Sequence, residues 1–209
     1  METGEKLFFD TPSIGGSWGR LAHIISLVAN PLFLALPTFL FISLRVAPDI
    51  VHALLWWAVI AAGVSIAPFL FIRWGVHRGH YSDPHVSIRE QRFVPLLFGL
   101  GCFSLVFVSL LLLHVAVPLL ATMTASLVAL GIATMVTKFW KISLHLVGIA
   151  GAVTVFCVMF GPWYLFLSPL VVLVGWARWR VRAHTPLQAV AGTALAVGVA
   201  VITLWLFRL

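Results

Sequence analysis

Residues 93–136 read FVPLLFGLGCFSLVFVSLLLLHVAVPLLATMTASLVALGIATMV, 44 residues without one Lys, Arg, Asp or Glu. A helix rises about 1.5 Å per residue and about 20 apolar residues cross a bilayer, so this run holds two crossings. The natural divide is His114-Val-Ala-Val-Pro118. Working outward, further apolar segments occupy about 20–44 (bent or opened at Pro31 and Pro37), 50–72, 142–160, 162–177 and 186–207. Hydrophobic residues make up 62% of the chain and charged ones 9%, with mean hydropathy +1.10. A soluble domain carries about 25% charged residues, which excludes that class. The expectation is an all-α integral membrane protein, a bundle of six or seven transmembrane helices. Residues 20–209 form a single transmembrane domain. Residues 1–19 form an N-terminal interfacial segment anchored by Phe8, Phe9 and Trp18. Glu2, Glu5, Lys6 and Asp10 leave no room for a signal-peptide pattern there.

Thirteen basic against six acidic residues give a net charge of +7. The cations gather at the ends of apolar segments, where membrane proteins place them, rather than along a polar nucleic-acid-binding face. With seven spans the N-terminus and the 73–92, 137–141 and 177–185 connections share one membrane face. Every basic residue except Arg45 and Arg208 falls there. Positive-inside bias assigns that face to the cytoplasm and the protein to the cell (inner) membrane. Cys102 and Cys157 lie inside apolar runs and read as small core residues.

The most polar stretch of the C-terminal half is Ala177-Arg-Trp-Arg-Val-Arg-Ala-His-Thr-Pro-Leu-Gln188. Thr185-Pro186 reads as an N-cap followed by proline at the first helical position. His184 and Gln188 are four apart, within reach for the amide to orient the imidazole. Arg178 and Arg182 share a face if the preceding helix runs on. Two shorter polar stretches fall on the same side. Arg89 and Arg92 precede Pro95, and Lys138 and Lys141 precede Ser143, a second candidate cap, and His145. Helix starts offer unpaired N–H groups and partial positive charge, so three of them beside arginines suit an anion, a phosphate above all.

These motifs resemble those of the type 2 phosphatidic-acid phosphatase superfamily, over about Asp83 to Gly192. Arg178-x5-His184-x3-Gln188 is similar to the third signature, Ser-Arg-x5-His-x3-Asp. Ile142-Ser143-Leu144-His145 is similar to the second, Pro-Ser-Gly-His, and Arg89-Glu-Gln-Arg92-Phe-Val-Pro95 stands in place of the first, Lys-x6-Arg-Pro. The resemblance implies metal-independent hydrolysis of a lipid phosphate or diphosphate, an isoprenoid one included, through a phosphohistidine. His184 is then the nucleophile and His145 the acid for the leaving oxygen. Arg178, Arg92, Arg89, Ser143 and Lys141 (or Lys138) hold the phosphoryl oxygens. Gln188 stands where the family has an aspartate, so it orients the ring without supplying charge. That departure keeps a second reading in view, an inactive lipid-phosphate-binding relative.

A separate argument disfavours magnesium chemistry. Of the six acids only Asp83 and Glu90 reach the shared face beyond the N-terminal tail, and a magnesium site draws on clustered carboxylates. His77, His80 and His85 lack a matching ligand set. No metal and no other cofactor is expected. The expected partners are the lipid phosphate and membrane lipids, without nucleic acid; the sequence leaves the oligomeric state open.

Overall fold

The computed structural model describes residues 16–209; Lys6, Phe8 and Phe9 lie outside the described residues, which contain helices and no strand. Helices α1 (Ser17–Val28) and α2 (Pro31–Val46) meet at a 51° bend. Proline disfavours a helical residue before it, and Asn30 accordingly leaves the helix and caps α2, its side chain accepting from the Leu32 N–H at 3.0 Å. Pro37 lies within α2 and leaves it unbroken, correcting the expectation of a second opening there.

Helices α3 (Ile50–Ile60) and α4 (Ala67–His77) form one 28-residue rod joined by a π-helical turn, Ala61–Ile66. Pro68 lacks the N–H that an α-helix would donate to residue 64, so a wider turn follows. The rod runs past Ile72, the expected end, to His77. Helices α5 (Phe93–Leu112) and α6 (Val117–Thr137) divide the long apolar run at a turn whose pivot is His114, φ 49. Helix α7 (Leu144–Phe160) is followed by a 3-10 segment (Pro162–Leu167), α8 (Ser168–Arg180) and α9 (Pro186–Leu206).

Four rods are long and apolar enough to cross a membrane: Ile50–His77, Arg89–Leu112, Val117–Thr137 and Pro186–Leu206. The bent α1–α2 pair makes a fifth if it is one span. The outer surface agrees with a hydrocarbon solvent, for Leu105, Val172 and Trp205 are each about 70% exposed. Inside, Ile42, Ile60, Leu110, Leu119, Met123 and Leu204 are fully buried in one cluster from α2, α3, α5, α6 and α9. This core fills one half of the bundle. In the other half α9 crosses α7 at Gly192, where a Cβ would sit 2.7 Å from the Ser143 carbonyl oxygen. Glycine is required at that crossing because backbone cannot yield as a flexible side chain can.

Candidate phosphate site

Chain reversal after α8 joins Arg178 to His184. The Arg182 N–H bonds to the Trp179 carbonyl (2.9 Å) and the Ala183 N–H to the Arg178 carbonyl (3.0 Å), with Arg182 left-handed at φ 53. This is a Schellman closure, usually pivoted on glycine. It folds the chain back so that the His184 N–H also reaches the Arg178 carbonyl, at 3.2 Å. The Arg-x5-His spacing is therefore one turn of chain returning over its starting residue. Because α8 ends at Arg180, Arg178 and Arg182 do not share a helical face: Arg178 is 5% exposed, Arg182 open to solvent.

The start of α9 fixes the imidazole. Thr185 accepts from the Gln188 N–H (3.3 Å), and Gln188 Oε1 accepts from the Thr185 N–H (3.1 Å), a reciprocal capping box. The same Oε1 lies 3.2 Å from His184 Nδ1. An amide oxygen only accepts, so Nδ1 carries the proton and a neutral ring keeps its lone pair on Nε2. Burial first, then the cations of Arg178, Arg92 and Lys141, push the His184 pKa down to about 3. The ring is therefore neutral at pH 7, with its lone pair on Nε2.

Arg178 and Ser143 supply the complement. Arg178 Nε and Ser143 Oγ are both buried without a hydrogen-bond partner. Ser143 stands at the N-cap of α7, but its hydroxyl makes no capping bond there, contrary to the expected capping role. Arg92, also buried, donates Nε to the Val86 carbonyl at 2.7 Å, which leaves its outer nitrogens for the cavity. Val86 holds that carbonyl with φ 46, a strained setting for a β-branched residue. Lys141 is half-buried, and its pKa is lowered by burial and then by Arg92 and Arg178, which marks it as part of the same cation cluster.

Arg89 is not brought to this cluster. It is exposed, pairs with Glu90 (3.0 Å) and donates to the Lys138 and Phe139 carbonyls (3.5 and 3.1 Å), strapping two connections together. This corrects its expected role as a phosphate ligand. Lys138 points elsewhere as well, its Nζ lying 4.4 Å from the centre of the Phe93 ring.

His145 enters the cavity at the first turn of α7, yet its Nε2 lies 3.1 Å from the Ser26 carbonyl. That carbonyl is freed because α1 ends there and the Asn30 N–H bonds to Leu27 instead. The Nε2 proton is thus directed at α1, and Nδ1 is the acceptor. His85, weighed from the sequence only as a metal ligand, is the residue whose place at this site sequence reasoning missed. It lines the same cavity, with a pKa pushed down to about 4 by burial, then by Arg178. Asp83 builds its loop, accepting from Ser82 Oγ, His85 N, Ser87 N and Ser87 Oγ. Despite burial, which acts to raise it, those bonds hold the Asp83 carboxyl below the usual range. A signal was present in Asp83-Pro84-His85, an Asx turn that presents the next side chain. His23 adds a buried Nε2 without a partner from α1, close enough for its charge to affect His85.

One cavity of about 260 Å³ is lined at its polar end by Asn30, His85, Arg92, His145, Arg178 and His184; Ser143 and Lys141 lie outside its lining. The starts of α2, α5 and α7 line it, each with the partial positive charge of a helix N-terminus. Among the described residues no three His, Cys, Asp or Glu side chains group to hold a metal ion. No protein-family profile matches this chain, and neither does any curated protein or solved structure.

Proposed function

We propose that this protein hydrolyses a membrane lipid phosphate or diphosphate without a metal, as the resemblance to type 2 phosphatidic-acid phosphatases implies. The observation that carries the reading is the buried Arg178, whose Nε has no hydrogen-bond partner, in one cavity with Arg92 and a neutral His184. A buried guanidinium with an unmet N–H is costly even with the Asp83 carboxylate nearby, and a phosphoryl group supplies both charge and acceptors. In the reaction the Nε2 lone pair of His184 forms a bond to phosphorus as the bond from phosphorus to the leaving oxygen breaks. Arg178, Arg92 and Ser143 hold the equatorial oxygens, with Lys141 adding charge. The leaving oxygen takes a proton from His145 once that ring has turned from Ser26 and been protonated. Water then cleaves the N–P bond and returns a proton to His145, releasing phosphate and restoring the Nε2 lone pair of His184.

The same reading takes the bundle as six or seven spans in the cell (inner) membrane with the site toward the cytoplasm. The apolar surface and the cations at the site end support it. Phosphate release from a panel of lipid phosphates, with and without chelator, tests the activity. Release that survives chelator and is lost in His184→Ala supports it; a magnesium requirement, or full activity in His184→Ala, overturns it.

A second reading, a binder without chemistry, is favoured by Gln188 and by the hold of Ser26 on His145. Gln188→Glu separates the two. It keeps the capping box and places a carboxylate beside His184, so an active enzyme gains about tenfold in turnover. A binder stays silent.

A further inference from the structure

Resting on that reading, we infer that the cavity below the phosphate site is a closed-ended shaft for one hydrocarbon tail, which admits about a dozen chain carbons. The cavity does not stop at His145 and Arg178. It continues between α2, the π-helical turn, α5, α6, α7 and α9 and ends at Phe39, Val64, Phe103, Thr122, Val155 and Ala200, one from each of these six. Four of these, Phe39, Val64, Val155 and Ala200, belong to the buried core cluster, and directly beyond them lie its fully buried members Ile42, Ile60 and Leu119. The shaft therefore ends where the packed core begins.

Its wall is chemically apolar although hydroxyl residues line it. Thr38 Oγ1 donates to the Leu34 carbonyl (2.8 Å), Thr122 Oγ1 to Pro118 (2.9 Å) and Ser126 Oγ to Thr122 (2.9 Å), each spent on its own helix. The orphaned donor among the lining side chains, Arg178 Nε, belongs to the head. A charged head and a hydrocarbon tail are thus separated along one axis.

Depth follows from helix geometry. His145 to Val155 on α7 is about 15 Å and Arg92 to Phe103 on α5 about 16 Å, half the thickness of a bilayer core. Carbon–carbon bonds of about 1.5 Å in a staggered zigzag advance about 1.25 Å each, so this depth takes about a dozen carbons. Small residues set the bore: Ala196 and Ala200 are four apart on one face of α9, and both line it. Ala200→Phe fills the lowest turn, and Phe39→Ala opens the floor.

The test uses non-hydrolysable alkyl phosphonates with 8, 12, 16 and 20 carbons, bound to the protein in lipid nanodiscs, together with a two-tailed phosphonate. We expect affinity to hold up to about 12 carbons and to drop about tenfold by 20, and the two-tailed probe to bind at least as weakly as the longest chain. Ala200→Phe moves the cutoff about four carbons shorter, and Phe39→Ala moves it longer. Affinity independent of length in the wild type overturns the shaft even if either variant fails to fold; so does equal binding of the two-tailed probe, or a cutoff unmoved in both variants. Phosphate release from the matching alkyl phosphates is read alongside. A length cutoff without release leaves the shaft standing and removes the phosphatase, while release without a cutoff does the reverse.

Discussion

The head and the shaft of the cavity are built from the same helices and differ in how their polar atoms are satisfied. In the shaft each named hydroxyl bonds to the carbonyl four residues earlier. At the head, Arg178 Nε, Ser143 Oγ and the nearby His23 Nε2 are buried and unmet. Folding alone does not reward that arrangement, since unmet buried donors and a desolvated cation both oppose stability. The contrast supports the proposed division into a head for an anion and a shaft for hydrocarbon.

The largest effect that would sharpen this contrast comes from Arg178→Met. Activity should fall by about 10²–10³, since an oriented donor to the phosphoryl group is lost, while the apparent melting temperature rises as the buried cation is removed. Loss of both activity and stability would make Arg178 a structural residue. Next is Gly192→Ala, whose methyl presses on the Ser143 carbonyl. It should destabilise by about 1–3 kcal/mol and reduce phosphate release, whereas Ala196→Gly lower on the same helix should leave the head geometry intact. Thermal unfolding and release assays on both variants check this.

A smaller effect is expected from pH. The imidazoles of His184 and His85 titrate at about 3 and about 4 when folded and near the ordinary 6.5 when unfolded. Between those limits the unfolded chain takes up protons that the folded one refuses. Their contribution is therefore intact above about pH 6.5 and drains as pH falls toward 4 and then 3. The melting temperature should drop by several degrees between pH 7 and 4.5, and less in His85→Asn; a flat profile would contradict the burial of both rings. The smallest effect belongs to Arg182→Gly, which removes a left-handed arginine at the turn that carries His184. It should gain about 1 kcal/mol without changing activity.

How far the sequence disclosed this site depends on the range of the interaction. The Thr185-Pro186 cap and the His184–Gln188 pair were legible because both act within one helical turn. The split near His114 was legible because length and hydropathy force it. The end of α8 was not, since an arginine occupies a left-handed position where glycine is the usual signal. Arg89 was misplaced because its partners, the Lys138 and Phe139 carbonyls, lie some 50 residues away. The Ser26 hold on His145 was hidden for the same reason, pairing residues 119 apart, whereas His85 sits on a local Asx turn whose signal was passed over.

The most direct test is a structure of the protein with vanadate, determined in the presence of a chelator. The account predicts vanadium bonded to Nε2 of His184, with Nδ1 still held by Gln188 and the vanadate oxygens on Arg178 and Ser143. Vanadate on Nδ1, on His145, or bound only outside this cavity would contradict it.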